Sequence, residues 1–277
     1  MTDQASFATA SAETLRKRKS SSSGFDQVTL LSIVLFVLFL ASWEWVLIPV
    51  TGVSPALLPR PSQIAVSLYQ GATQGYLLPN TLITLQEVLI GFVVGSALGF
   101  ILAVPVAESR AVERILSPYV VALQAIPKVA IAPLFVVWFG YGLSSKVLIV
   151  GLITFFPVFI NTVAGLRSVA HEQRELFMIY NATRWQRFRY LTLPNSGSFV
   201  VAGLNVGVTL SVIGAVVAEF VGAQEGLGSL IVRAGFAMDT AGVFAAVLCL
   251  TVIAAILSAT VQVMGRKIVF WANDQRH

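Results

Sequence analysis

The chain has 277 residues, 56% of them hydrophobic and only 11% charged, with a formal net charge of +5. An ordinary soluble domain carries roughly 25% charged residues, and the mean hydropathy here is +0.82. These values exclude a soluble enzyme, a disordered protein and a nucleic-acid-binding domain, and leave an all-α integral membrane protein.

Residues 1–27 are polar and basic, with Arg16, Lys17, Arg18 and Lys19 followed by a run of serines. Too little apolar surface is present to order this stretch, so it reads as a flexible cytoplasmic tail. The apolar run that follows is too long for a secretory signal and lacks a small-residue cleavage site. Six spans are then expected, each near the ~20 residues that a bilayer core demands. They are Val28–Ile48, Thr81–Val104, Ile115–Phe139, Lys146–Gly165, Ser198–Gly222 and Ala241–Met264. The third is interrupted by Pro118, Pro127 and Pro133, and the fourth contains Pro157. With the N-terminus inside, fourteen Lys and Arg fall on inside segments and three (Arg60, Lys146, Arg233) on outside segments. That bias sets both termini in the cytoplasm.

Between the spans, Ser62–Gln70 reads as a short amphipathic helix capped by Ser62. The Gly226–Val232 stretch is too short to span and too apolar to float, so it is expected to dip into the membrane. Gly91, Gly95 and Gly99 form one small-residue stripe, and Gly203, Gly207 and Ser211 another. Such stripes allow close helix approach, either within one subunit or at a dimer seam.

Catalytic motifs are missing. The chain has no Walker phosphate loop, no nucleophile elbow and no zinc-ligand spacing, so neither catalytic nor metal-binding residues are expected. Its single cysteine, Cys249, precludes an intrachain disulfide. Ionisable residues within or at the ends of spans are Glu44, Glu87, Lys128 and Glu219. A charge at mid-membrane costs roughly 3 kcal/mol on insertion scales. Glu44, between two tryptophans, reads as an interfacial belt residue. Each of the others suits a structural ion pair or a solute contact. Lys128 follows Pro127, where freed carbonyls can receive its ammonium.

The cytoplasmic loop 166–197 has a different character. Leu176, Phe177 and Tyr180 share one face of a short helix. Asn181 can take the left-handed conformation that ends it. Thr183 can cap a second helix carrying Trp185 and Phe188, which Pro194 is expected to stop. An exposed amphipathic element with five arginines suits docking into a partner's groove or resting on lipid headgroups.

This loop resembles the cytoplasmic motif of ABC importer permeases: Glu-Ala-Ala, three residues, Gly, nine residues, Ile-x-Leu-Pro. On that alignment Glu175 is the acidic position, Leu176 and Phe177 the two alanines, Asn181 the glycine, and Leu191 and Leu193-Pro194 the close. The spacing matches in full and the identities in part. Residues 58–62, 126–140, 155–165 and 218–228 also resemble the nitrate/sulfonate/taurine group of these permeases.

The resemblance implies a type I importer-like fold over residues 28–277, with its core at 75–270. It implies that this chain is the transmembrane permease subunit of an ATP-driven importer in a prokaryotic inner membrane. A separate ABC ATPase dimer would carry ATP, so this chain would bind no cofactor. An extracytoplasmic solute-binding protein would deliver the solute, and a second copy of the chain would complete the path. Glu175, Leu176, Phe177, Tyr180, Asn181, Ala182, Thr183, Arg184, Trp185 and Pro194 would form the ATPase-docking coupling helices. Pro127, Lys128, Asn161 and Glu219 are candidates for the translocation path. The solute would be a nitrate-, sulfonate- or taurine-type anion, or a vitamin precursor such as a pyrimidine or riboflavin. An ion-gradient-driven secondary transporter is the alternative, with Glu87, Lys128 and Glu219 as coupling residues.

Overall fold

A computed structural model describes residues 29–54 and 56–272. The tail expected at 1–27 lies outside the described residues. The chain divides into two compact units, one ending at Ala65 and one beginning at Val66.

In the first unit, helix α1 runs Thr29–Val50 and widens to a π-turn at Trp43–Leu47. Helix α2, Pro61–Thr73, begins here and continues into the second unit. Ser62 lies inside α2 and does not cap it. Its backbone N–H and its hydroxyl both donate to the Glu44 carboxylate, at 3.1 and 2.9 Å. Glu44 therefore fixes the start of α2, a role beyond that of a belt residue.

The second unit is built on α3 (Leu77–Glu108), α6 (Leu143–Arg167), α9 (Leu193–Phe220) and α11 (Thr240–Ile268). Each is long and apolar enough to cross a bilayer, as is α1. All can span because a helix satisfies its own backbone in lipid. The remaining expected span is broken. Helix α4 (Arg110–Ala125) has 16 residues and α5 (Ala132–Phe139) has 8. Between them Ile126 is extended, as a residue before proline prefers. Pro133 sits in the first turn of α5, where no N–H is required of it. The membrane set among the described residues is thus five continuous helices and one broken one.

Both small-residue stripes serve packing within this chain. A Cβ on Gly91 would meet Val150, and one on Gly99 would meet the Phe155 carbonyl. On α9, Gly203 faces Pro157 and Val158, and Gly207 faces Thr154. Helix α6 therefore lies between α3 and α9. Val88, Val150, Val212, Leu227, Ala246 and Leu250 close the core among α3, α6, α9, α10 (Leu227–Phe236) and α11.

Candidate functional site

At the end where α3 and α6 begin and α9 finishes, three ionisable residues and the start of α10 converge. Lys146 Nζ lies 2.5 Å from Glu87 Oε1, with side chains only 9% and 1% exposed. Glu219, 1% exposed, lies against Glu87 and accepts from the Thr84 hydroxyl at 2.6 Å. Its other oxygen accepts from the Gly228 N–H. Thr84 Oγ1 in turn accepts from the Leu227 N–H at 2.8 Å, and Asn80 Oδ1 from the Gly226 N–H at 2.7 Å. Successive N–H groups at the start of α10 are thereby satisfied by side chains of α3 and α9. A helix N-terminus needs such acceptors and favours a carboxylate among them. Helix α10 is held at its N-terminal end by these bonds. A polar cavity of about 510 Å³ opens beside the cluster, with Gln86, Glu87, Lys146, Gln224 and Glu225 in its wall.

Residues 171–187 fold as helix, turn, helix. Helix α7 spans His171–Ile179, and Asn181 takes φ 52°. Thr183 begins α8 (Arg184–Arg187) with a reciprocal capping box: its hydroxyl accepts from the Gln186 N–H, and its own N–H donates to Gln186 Oε1. Leu176, Tyr180 and Trp185 stand 51%, 78% and 69% exposed, large apolar surfaces left uncovered by this chain. Ala182 lies in the turn, and Glu175 meets the His171 imidazole at 3.3 Å. Pro194 does not stop the second helix, contrary to expectation. A π-turn at Phe188–Thr192 joins α8 to α9, and Pro194 falls in the first turn of α9. The wider π-turn carries the backbone past a residue that lacks an N–H. Helix α8, the π-turn and α9 are thus one continuous helical body from Arg184 to Phe220.

That body is braced at its root. Arg167, at the end of α6, donates to Glu113 of α4 and to the Val106 carbonyl of α3. The Arg167 guanidinium holds the Glu113 carboxyl below its ordinary value. Asn195 donates to Ser168 Oγ at 2.8 Å, and Trp271 Nε1 donates to the Pro194 carbonyl at 3.2 Å.

The other path candidates lie elsewhere. Pro127 is exposed in the break between α4 and α5. Lys128 donates to the Gln124 carbonyl at 3.2 Å and stands 4.6 Å over the Phe156 ring. Asn161 returns its amide to the Pro157 carbonyl at 2.8 Å. Glu219 meets Glu87 and not Lys128.

The model of the binding-protein-dependent transport system inner membrane component family matches residues 95–270. The chain belongs to this family. It is an ABC transporter permease, a multi-pass protein of the inner membrane. It is 38% identical over 238 residues to the riboflavin transport system permease protein of Chloroflexus aurantiacus, covering 86% of this chain and 88% of that one. It is 35% identical over 240 residues to the formylaminopyrimidine transport permease protein of Halalkalibacterium halodurans, covering 87% and 95%. The inward-facing MetNI methionine ABC transporter shares the fold at a TM-score of 0.62 and 17% identity, over 71% of this chain and 98% of that one.

Three residues of the permease's cluster around Glu87 and Glu219 escape sequence reasoning. Lys146 reads as an outside loop charge, although Glu87 calls for a cation at its depth and Lys146 is on the same side. Asn80 and Thr84 carry no signal of their own. Their acceptors matter only because 226–228 arrives beside them, 143 residues further along at Leu227.

Proposed function

We propose that this permease is the membrane-spanning subunit of an importer energised by a separate pair of ABC ATPase subunits, with ATP bound and hydrolysed there. A second copy of the chain completes the path, and an extracytoplasmic binding protein supplies the solute. The observation that carries the reading is the exposed α7–turn–α8 element, continuous through the π-turn with membrane helix α9. A partner that grips residues 175–185 would move a membrane helix with no loop to absorb the motion. Pro127, Lys128 and Asn161 are the proposed path residues. Glu219 contributes by holding α10. The fourteen-to-three distribution of Lys and Arg supports a cytoplasmic position for both termini.

For the solute we propose a small nitrogen heterocycle of the flavin or aminopyrimidine class, ahead of a nitrate- or sulfonate-type anion. The relatives described above, at 38% and 35% identity, support that choice. The test is uptake into proteoliposomes holding the permease, its ATPase and its binding protein. Riboflavin, N-formyl-4-amino-5-aminomethyl-2-methylpyrimidine and taurine are offered in parallel. ATP-dependent uptake of one of the first two, unaffected by a protonophore, is expected. Uptake of taurine alone would transfer the assignment to the anions. Uptake that needs an ion gradient and no ATP would make the protein a secondary transporter.

A further inference from the structure

A cavity of about 700 Å³ lies where α3 ends, α4 begins and α8 meets the π-turn. Glu108 of α3, Arg110 of α4 and Arg184 and Arg187 of α8 stand in its wall. Glu108, Arg110 and Arg184 are exposed, and Arg187 is half-buried. Among the described residues, the ion pairs are Lys146–Glu87, Arg167–Glu113 and His171–Glu175. None of the four wall charges belongs to one. Glu113, whose carboxyl also feels Arg110, is held by Arg167. The wall therefore carries three guanidinium groups and one carboxylate, all wholly or partly open to a ligand. Between them the lining is largely apolar, with Pro105 on one side and the Trp185 and Phe188 rings, 5.8 Å apart, on the other.

An apolar groove runs along the same side of α3. Its volume is about 290 Å³, and Val94, Leu98 and Leu102 of α3 line it with Leu152 and Phe155 of α6. Val94, Leu98, Leu102 and Pro105 follow one another at steps of four, four and three residues, which sets them in one stripe of the helix. Leu102 belongs to the groove and Pro105 to the basic cavity, with a rise of only about 4.5 Å between them. From Val94 to Val104 the helix rises about 15 Å, half the thickness of a bilayer's hydrocarbon core. A cationic cavity thus adjoins an apolar groove about one leaflet deep.

We infer that the two form one site for an anionic phospholipid. Its phosphate sits among Arg110, Arg184 and Arg187, and an acyl chain lies along Val94, Leu98 and Leu102. Guanidinium groups grip phosphate oxygens with paired N–H donors, and basic pockets beside spanning helices attract anionic headgroups. Trp185 suits headgroup depth. A soluble phosphate compound would use the arginines and leave the groove unused, so the groove favours a lipid. Its assignment to the cytoplasmic leaflet rests on the orientation proposed above. The lipid joins α3 and α4 to α8, and so braces the helical body that continues into α9.

The test uses the full chain in a neutral detergent. It is titrated with palmitoyl-oleoyl phosphatidylglycerol, with the matching phosphatidylethanolamine and with glycerol phosphate, and bound ligand is counted by native mass spectrometry. Phosphatidylglycerol should be retained at least about fivefold more tightly than phosphatidylethanolamine, the scale of one basic side chain at an anionic surface. Arg110→Gln combined with Arg187→Gln should bring that preference close to one. Arg114→Gln combined with Arg189→Gln removes as many charges from outside the wall and should leave the preference intact. Leu98→Trp, which fills the groove, should weaken phosphatidylglycerol binding several-fold. Circular dichroism of each variant checks that the helices are intact. Equal retention of the two lipids, equal losses in the two double variants, or lipid binding unchanged by Leu98→Trp would overturn the inference. Glycerol phosphate bound as tightly as the lipid would overturn it too, and assign the cavity to a soluble phosphate compound. No ATPase subunit or solute is present, so the importer reading fails or stands separately.

Discussion

Thr84 and Glu219 lie 135 residues apart in the chain and 2.6 Å apart in the fold. The Thr84 hydroxyl donates to Glu219 and accepts from Leu227, so one side chain joins α3, α9 and α10. Replacing it with the isosteric valine keeps the volume and removes both bonds. A buried N–H and a buried carboxylate each lose a partner, and each such loss costs about 1–3 kcal/mol. Thr84→Val should lower the thermal stability of the detergent-solubilised protein and loosen α10 in hydrogen exchange. Thr84→Ser should restore most of both. Unchanged protection across α10 in the valine variant would mean that the hydroxyl is not what holds it.

The Glu87–Lys146 pair calls for a double-variant test. Removing one member of a buried ion pair leaves a charge uncompensated, at about 3–5 kcal/mol, whereas replacing both can be close to neutral. Lys146→Met alone should sharply reduce the folded yield. Glu87→Gln combined with Lys146→Met should recover most of it. Equal losses in the single and double variants would place the importance of Lys146 outside this pair.

The glycine stripe on α3 gives a contrast between two alanine substitutions. A Cβ on Gly95 would run into the backbone of Gly151, which cannot move aside as a side chain can. Gly235 in α10 has open space around it. Gly95→Ala should therefore separate α3 from α6 and destabilise the protein. Gly235→Ala should be neutral or stabilising by about 0.5–1 kcal/mol, since alanine suits a helix better than glycine. Differential scanning fluorimetry of the two variants checks the pair.

The brace between Arg167 and Glu113 responds to acid. Arg167 lowers the Glu113 pKa from its ordinary 4.5, chiefly through its hydrogen bond. A depressed carboxyl stabilises the fold at pH values above the unfolded pKa. That contribution fades as pH falls from 4.5 through the lower folded value. Proteolysis of the 166–197 segment should thus accelerate only in that acid window. Glu113→Gln should show the faster cleavage already at neutral pH, with less change on acidification.

The parts that were legible in the sequence are those decided locally. Hydropathy over some twenty residues marks a membrane helix whatever surrounds it. The turn at Asn181 and the capping box at Thr183 are likewise settled within a few residues. Pro194 was misread because a local rule for proline omits the π-turn that lets the helix continue through it. Ser62 was misread because its acceptor, Glu44, lies 18 residues away. The cluster of Glu87, Lys146 and Glu219 was least visible. Lys146 sits just inside the start of α6, where its neighbours Ser144 and Ser145 resemble a loop, and its partner is 59 residues distant. Long-range pairing of this kind leaves no periodicity to detect.

The α7–turn–α8 element is the proposed point of ATPase contact, and capture of the native complex tests this most directly. The tagged permease would be purified from its own host in mild detergent, alongside a variant carrying Glu175→Arg and Phe177→Asp. An ATP-binding subunit should be recovered with the natural chain and lost with the double variant, while both variants remain folded and membrane-inserted. Equal recovery of the ATPase with both would move the docking site elsewhere on the chain. Recovery with neither, under conditions that preserve other ABC complexes, would contradict the importer reading itself.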